Sequence, residues 1–72
     1  MKLPRDLSGR EVVKALRRLG FRVENQEGSH IRLSHADGFR VTVPNHPALL
    51  PKTLKSVLRQ ANISIEELME AL

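Results

Sequence analysis

The chain has no cysteine, no tryptophan and no tyrosine, and only two phenylalanines among its 72 residues. Without cysteine there is neither a disulfide framework nor a thiolate metal site, and a reducing compartment is the natural expectation. The scarcity of aromatics removes the stacking platforms on which single-stranded nucleic acid is held by its bases. No apolar run approaches the roughly 20 residues that a membrane-spanning helix needs, and the opening "MKLPRDLSG" has no signal-peptide core. We therefore expect a soluble protein of the cytoplasm with no membrane partner. A chain of 72 residues is expected to be one domain, 1–72, too small to enclose a substrate, so any chemistry sits on its surface.

Positive charge is plentiful, and it is unevenly spread. The formal net charge is +4, and all twelve Lys and Arg lie within residues 1–61. The closing "NISIEELMEAL" carries three of the eight acids and no base. A basic body of this kind implies a polyanionic partner by long-range attraction, with an ordinary solvated surface as the competing reading.

Local patterns predict the elements. In "SGREVVKALRRLG", Ser8 and Glu11 stand at capping-box spacing, Val12, Ala15, Leu16 and Leu19 recur at helical spacing, and Gly20 stops the helix. Arg10, Lys14, Arg17 and Arg18 share the opposite arc. Three alternating runs follow, "FRVEN", "HIRLS" and "FRVTV", punctuated by Gly28 and by Ala36-Asp37-Gly38. They read as an antiparallel meander with "HIRLS" in the middle. Its core face is expected to hold Phe21, Val23, Ile31, Leu33, Phe39, Val41 and Val43, and its other face Arg22, Glu24, His30, Arg32, Ser34, Arg40 and Thr42. After the proline-rich "PNHPALLP", residues Leu54, Val57, Leu58 and Ala61 form the stripe of a second helix, with Lys52, Lys55 and Arg59 off it. Ser64 and Glu67 repeat the capping-box spacing before a short third helix. The fold class is α+β, ordered α-β-β-β-α, with a three-stranded antiparallel sheet, helices on one face and a short C-terminal helix. This order matches the double-stranded RNA-binding domain, and order alone carries no function.

The histidines are the residues that scaffold does not explain. In "EGSHIRL" the parity that buries Ile31 and Leu33 turns His30 to the opposite face, toward water or a ligand. His35 borders a turn and reads as a turn residue. If Leu33 pairs with Val41, residue 30 faces residue 44, and the loop carrying His46 leaves the sheet beside His30. Two histidines there could bind a metal or share acid and base work, but no third ligand stands at a suitable spacing, so no metal is expected. RNA cleavage needs no protein nucleophile, because the ribose 2′-OH attacks the adjacent phosphorus once a base takes its proton. An imidazole supplies that proton transfer, Arg32 and Arg40 supply charge for the phosphate, and Gly28 and Ser29 supply close backbone approach and a hydroxyl donor. The residues leave three readings open: an RNA-cleaving surface, a non-catalytic RNA-binding module of the same fold, and an adaptor for an acidic protein.

Several short motifs stand together in a familiar order. Leu19-Gly20-Phe21, Gly28-Ser29-His30, Asp37-Gly38, Val43-Pro44 with His46, and Thr53-Leu54 through Ile63-Ser64 with Glu66-Glu67 resemble the pattern of the HicA-type toxins, the small mRNA interferases of HicA/HicB toxin-antitoxin pairs. The resemblance covers nearly the whole chain. It implies a fold like the double-stranded RNA-binding domain, a catalytic His30, cleavage of single-stranded mRNA with neither metal nor other cofactor, and inhibition by a HicB-type antitoxin. The expected RNA contacts are Gly28, Ser29, Arg32, Arg40, His46, Lys52 and Lys55. Two positions depart from the family pattern: Glu27 stands where a small or basic residue is common, and Lys52 where a glycine is. Glu27 brings a negative charge to the expected phosphate site.

Overall fold

Two reciprocal caps start two of the three helices. In the computed structural model, which describes residues 7–72, the Glu11 amide donates to Ser8 Oγ at 3.1 Å and the Ser8 amide donates to Glu11 Oε1 at 3.0 Å. Two otherwise orphaned donors are satisfied, worth about 1 kcal/mol per cap, and helix α1 runs over Gly9–Arg18. Ser64 and Glu67 make the same pair of bonds ahead of α3, Ile65–Ala71. Helix α2, Pro51–Ala61, starts instead on a proline, whose missing N–H costs nothing in the first turn, and ends on Asn62 in a left-handed conformation.

Between α1 and α2 the chain folds into three antiparallel strands in sequence order: β1 (Phe21–Glu27), β2 (His30–His35) and β3 (Arg40–Pro44). Leu33 faces Val41 and His30 faces Pro44, the expected register. One face of the sheet buries Phe21, Ile31, Leu33, Val41 and Val43 against Val12 and Leu16 of α1, Leu54, Val57 and Leu58 of α2, and Leu68 of α3. Each such aliphatic side chain stabilises the fold by about 1.5–3 kcal/mol relative to exposure. The layout is the expected α-β-β-β-α with a short final helix, an α+β fold whose sheet has one open face.

Two expected core residues are not in the core. Val23 is 43% exposed and Phe39 38% exposed. Val23 sits on edge strand β1, where the cleft beside α1 leaves it partly uncovered. Phe39 falls one residue before β3, in the turn, and only flanks the hollow that Phe21 and Ile63 also line. The core instead recruits Leu7 and Leu49 from irregular segments, joined by a 2.8 Å bond from the Leu49 amide to the Leu7 carbonyl.

A bulge controls the far end of β1. Val23 faces Leu33, but the next paired residue is Asn25, which faces Arg32, so Glu24 is the extra residue. From there the parity is reversed: Gln26 faces Ile31 on the buried side, and Asn25 and Glu27 join the open face opposite Arg32 and His30. The Glu24 carboxylate accepts a hydrogen bond from the Ser34 hydroxyl. At the opposite edge the Thr42 amide donates to Gln60 Oε1 of α2 at 3.0 Å, so a helix side chain occupies a free edge group of β3. Among the described residues no helix is long and apolar enough to cross a membrane.

Candidate functional site

A two-residue turn, Gly28-Ser29, joins β1 to β2 and sets His30 at the start of β2. Gly28 has φ +58°, which a side chain would strain, while Ser29 keeps a negative φ. A Cβ at Gly28 would meet nothing within 4 Å, so the backbone at the turn is open to approach. His30 is exposed, and among the described residues its ring has no hydrogen-bond or ion-pair partner. It is flanked by Glu27 across β1 and by Pro44 across β3.

Arg32 lies two residues further along the same face of β2. Its Nη1 is 3.8 Å from Glu27 Oε1, with the two side chains 54% and 70% exposed. A pair so open to water contributes at most about 1 kcal/mol and is readily exchanged for another anion.

Backbone contacts tie the turn to two other segments. The Asn45 amide donates to the Ser29 carbonyl at 2.6 Å, and the Gly9 amide donates to the His46 carbonyl at 2.9 Å. A Cβ on Gly9 would come within 2.0 Å of the Pro44 carbonyl oxygen, so the start of α1 meets this loop closely only because Gly9 has no side chain. His46 is thereby held, exposed, two residues beyond the partner of His30. Lys52, in the first turn of α2, shares a shallow hollow with Thr42 and Pro44.

The expected site residues therefore separate into two sets. Gly28, Ser29, His30 and Arg32 lie along the start of β2, with the His46 loop leaving β3 beyond Pro44, the partner of His30, and Lys52 at the β3 edge next to Pro44. Arg40 faces Ser34 at the other end, four residues along β3 from the partner of His30, or roughly 13 Å at about 3.3 Å per residue. Lys55 is exposed one turn beyond Lys52 and does not line that hollow. No three His, Cys, Asp or Glu side chains converge as a metal site among the described residues.

The basic arc of α1 divides as well. Arg10, Lys14 and Arg17 rim a cleft floored by Val13, Val23 and Ile31, whereas Arg18 donates to the Ala71 carbonyl at 3.0 Å at the end of α3. His35 is occupied by its own turn: Nδ1 accepts the Asp37 amide at 3.0 Å, and the ring packs on Phe21 with centroids 4.9 Å apart. The Asp37 carboxylate is 3.6 Å from the same nitrogen. A nitrogen already accepting a hydrogen bond is not a charged donor, so we read this as a turn cap and not as an ion pair.

Two contributors escape the sequence patterns. Gly9 and Asn45 act through backbone contacts between distant segments. Glu27 was legible, because pairing across a two-residue Gly28-Ser29 loop sets residue 27 opposite residue 30. The alternation in "FRVEN" hides it by ending the strand at Asn25.

The family model described as HicA toxin of bacterial toxin-antitoxin matches residues 9–63. That span runs from the start of α1 past the end of α2 and includes the turn, all three strands and the His46 loop. No curated protein matches the chain.

Proposed function

Because the chain belongs to the HicA toxin family of bacterial toxin-antitoxin systems, we propose that it is an mRNA interferase whose open sheet face binds single-stranded RNA and cleaves it at His30. The observation that carries this reading is an exposed imidazole, unpartnered among the described residues, beside an open glycine turn, with Arg32 on the same face. The phosphodiester lies over the Gly28-Ser29 turn, its charge met by Arg32 and Lys52 and by the Ser29 hydroxyl. His46 touches the RNA from the loop, and Arg40 and Lys55 hold phosphates further along the strand. His30 moves a proton at the reacting group, either from the 2′-OH or to the leaving 5′-oxygen. Arg32 stabilises the charge that builds on the phosphoryl oxygens.

A toxin of this family has a cognate antitoxin. We assign that role to a HicB-type protein whose acidic surface covers His30 and Arg32, since covering the site and neutralising its charge are one physical act. The toxin acts in the cytoplasm, where mRNA is available.

Single-turnover cleavage of a defined RNA in EDTA, by wild type and His30→Ala, tests the reading. We expect wild-type cleavage to persist in EDTA and the variant to be slower by roughly 10²- to 10⁴-fold. Equal rates would remove His30 from the chemistry, and loss of wild-type cleavage in EDTA would require a metal.

A further inference from the structure

Cleavage through the 2′-OH needs two proton transfers, one from the attacking oxygen and one to the leaving oxygen. Resting on the proposed function, we infer that Glu27 is the second acid-base group of the site, taking the 2′-OH proton while His30 serves the leaving group.

The bulge at Glu24 is the first support. Without it, continuing the pairing from Val23 and Leu33 would put Gln26 opposite His30, and an amide cannot accept a proton at neutral pH. With it, Glu27 takes that place and Gln26 moves to the helix-facing side, where it stays exposed and its Nε2 donates to the Gly28 carbonyl at 3.0 Å. Bulges commonly re-aim a side chain beside an active site. Directly opposed residues carry their Cβ atoms about 4.5–5.5 Å apart on one face, which lets two side chains flank a single phosphodiester.

Arg32 is the second support. It lies beside Glu27 and on the His30 face of β2, and a guanidinium has donors enough to hold a carboxylate and a phosphate together. Glu27 thus stands at the edge of the position that a phosphate held by Arg32 takes.

The roles follow from the inventory of each group. An ionised carboxylate accepts and has no proton to give, whereas an imidazolium has one. Glu27 accepts the 2′-OH proton as the 2′-oxygen forms its bond to phosphorus. The bond from phosphorus to the 5′-oxygen breaks, and that oxygen takes a proton from His30. The products are a 2′,3′-cyclic phosphate and a 5′-hydroxyl, leaving Glu27 protonated and His30 neutral, and exchange with water restores both.

The test uses a short RNA that the wild type cuts once, and the same RNA with 2′-deoxyribose at the cut. Single-turnover rates are measured against pH for wild type, His30→Ala, Glu27→Gln and Glu27→Asp, and affinity is measured on the deoxy RNA. We expect Glu27→Gln to cleave roughly 10²- to 10⁴-fold more slowly, to bind the deoxy RNA as tightly as wild type or more so, and to lose the acidic limb of the pH profile. Glu27→Asp, which keeps a carboxylate, recovers part of the rate and that limb. Cleavage by Glu27→Gln at or above the wild-type rate, with His30→Ala still slow, overturns the role of Glu27 alone. A Glu27→Gln defect confined to affinity overturns it too. Full activity in His30→Ala, or an inert wild type, overturns the proposed function and this inference with it.

Discussion

The two ends of β2 each carry a histidine beside a glycine-containing turn, and they are put to opposite uses. His35 lies against Gly20, packs on Phe21 and accepts the amide of Asp37, so its ring is consumed in closing a turn. His30, five residues earlier on the same strand, has an exposed ring with none of these contacts. Residue type and neighbouring glycines are the same at both ends, and what differs is whether the ring is already engaged by the fold, as His35 is through Nδ1 and through its face on Phe21. A histidine with one nitrogen and one face engaged by its own turn is held there and is poorly placed to serve a substrate. One that is not so held, on an open face with a guanidinium two residues away, is free to act.

The largest expected effect comes from breaking this contrast at each end in turn. His30→Ala should lower cleavage by roughly 10²- to 10⁴-fold while changing stability by no more than about 0.5 kcal/mol, as for a surface substitution that removes no packing. His35→Ala should do the reverse: the rate on bound RNA stays near wild type, and stability falls by about 1 kcal/mol through loss of the ring contact and the turn bond. Single-turnover kinetics and thermal unfolding of both variants supply the four numbers. A His30→Ala protein that unfolds readily would show that its ring is structural after all.

Structural cost at the His30 end should fall instead on its neighbours. Gly9→Ala would drive a methyl group into the Pro44 carbonyl, and neither backbone segment can yield without moving the other. We expect a loss of about 1–3 kcal/mol, in the range of other overpacked sites, read by thermal or denaturant unfolding. An unchanged midpoint would mean that the start of α1 and the His46 loop are not tightly joined.

Local chemistry was readable in the sequence, and long-range chemistry was not. Both capping boxes could be read because Ser and Glu three residues apart satisfy each other without help from the rest of the chain. The β2-β3 register followed from alternation and turn length, and it already implied that Arg40, facing Ser34, lies far from His30. The bulge at Glu24 left no such trace: "ENQE" has no apolar residue to mark the reversal of parity, and the partner that exposes it is on another strand. Burial of Leu7 and Leu49 likewise depends on two irregular segments meeting. His30 was accessible to strand parity, whereas its pairing with Glu27 needed the correct end of β1.

The smallest effects distinguish the two arginines. Arg32 and Arg40 are both exposed on the open face, and replacing either by alanine should alter stability by no more than about 0.5 kcal/mol. Each should reduce the dependence of single-stranded RNA affinity on salt by about 0.7 in log-log slope, the amount expected for one phosphate contact. Their rates at saturating RNA should nevertheless differ. Under the proposed function Arg32 shares its end of the sheet with His30, so its loss should remove charge stabilisation from the reacting phosphate and slow the bound complex. Arg40, roughly 13 Å from that end at about 3.3 Å per residue, should hold RNA without touching the reaction, and Arg40→Ala should cleave bound RNA at the wild-type rate. Equal slowing in both variants at saturation would mean that the reacting phosphate lies between them, nearer the middle of β2 than His30 stands.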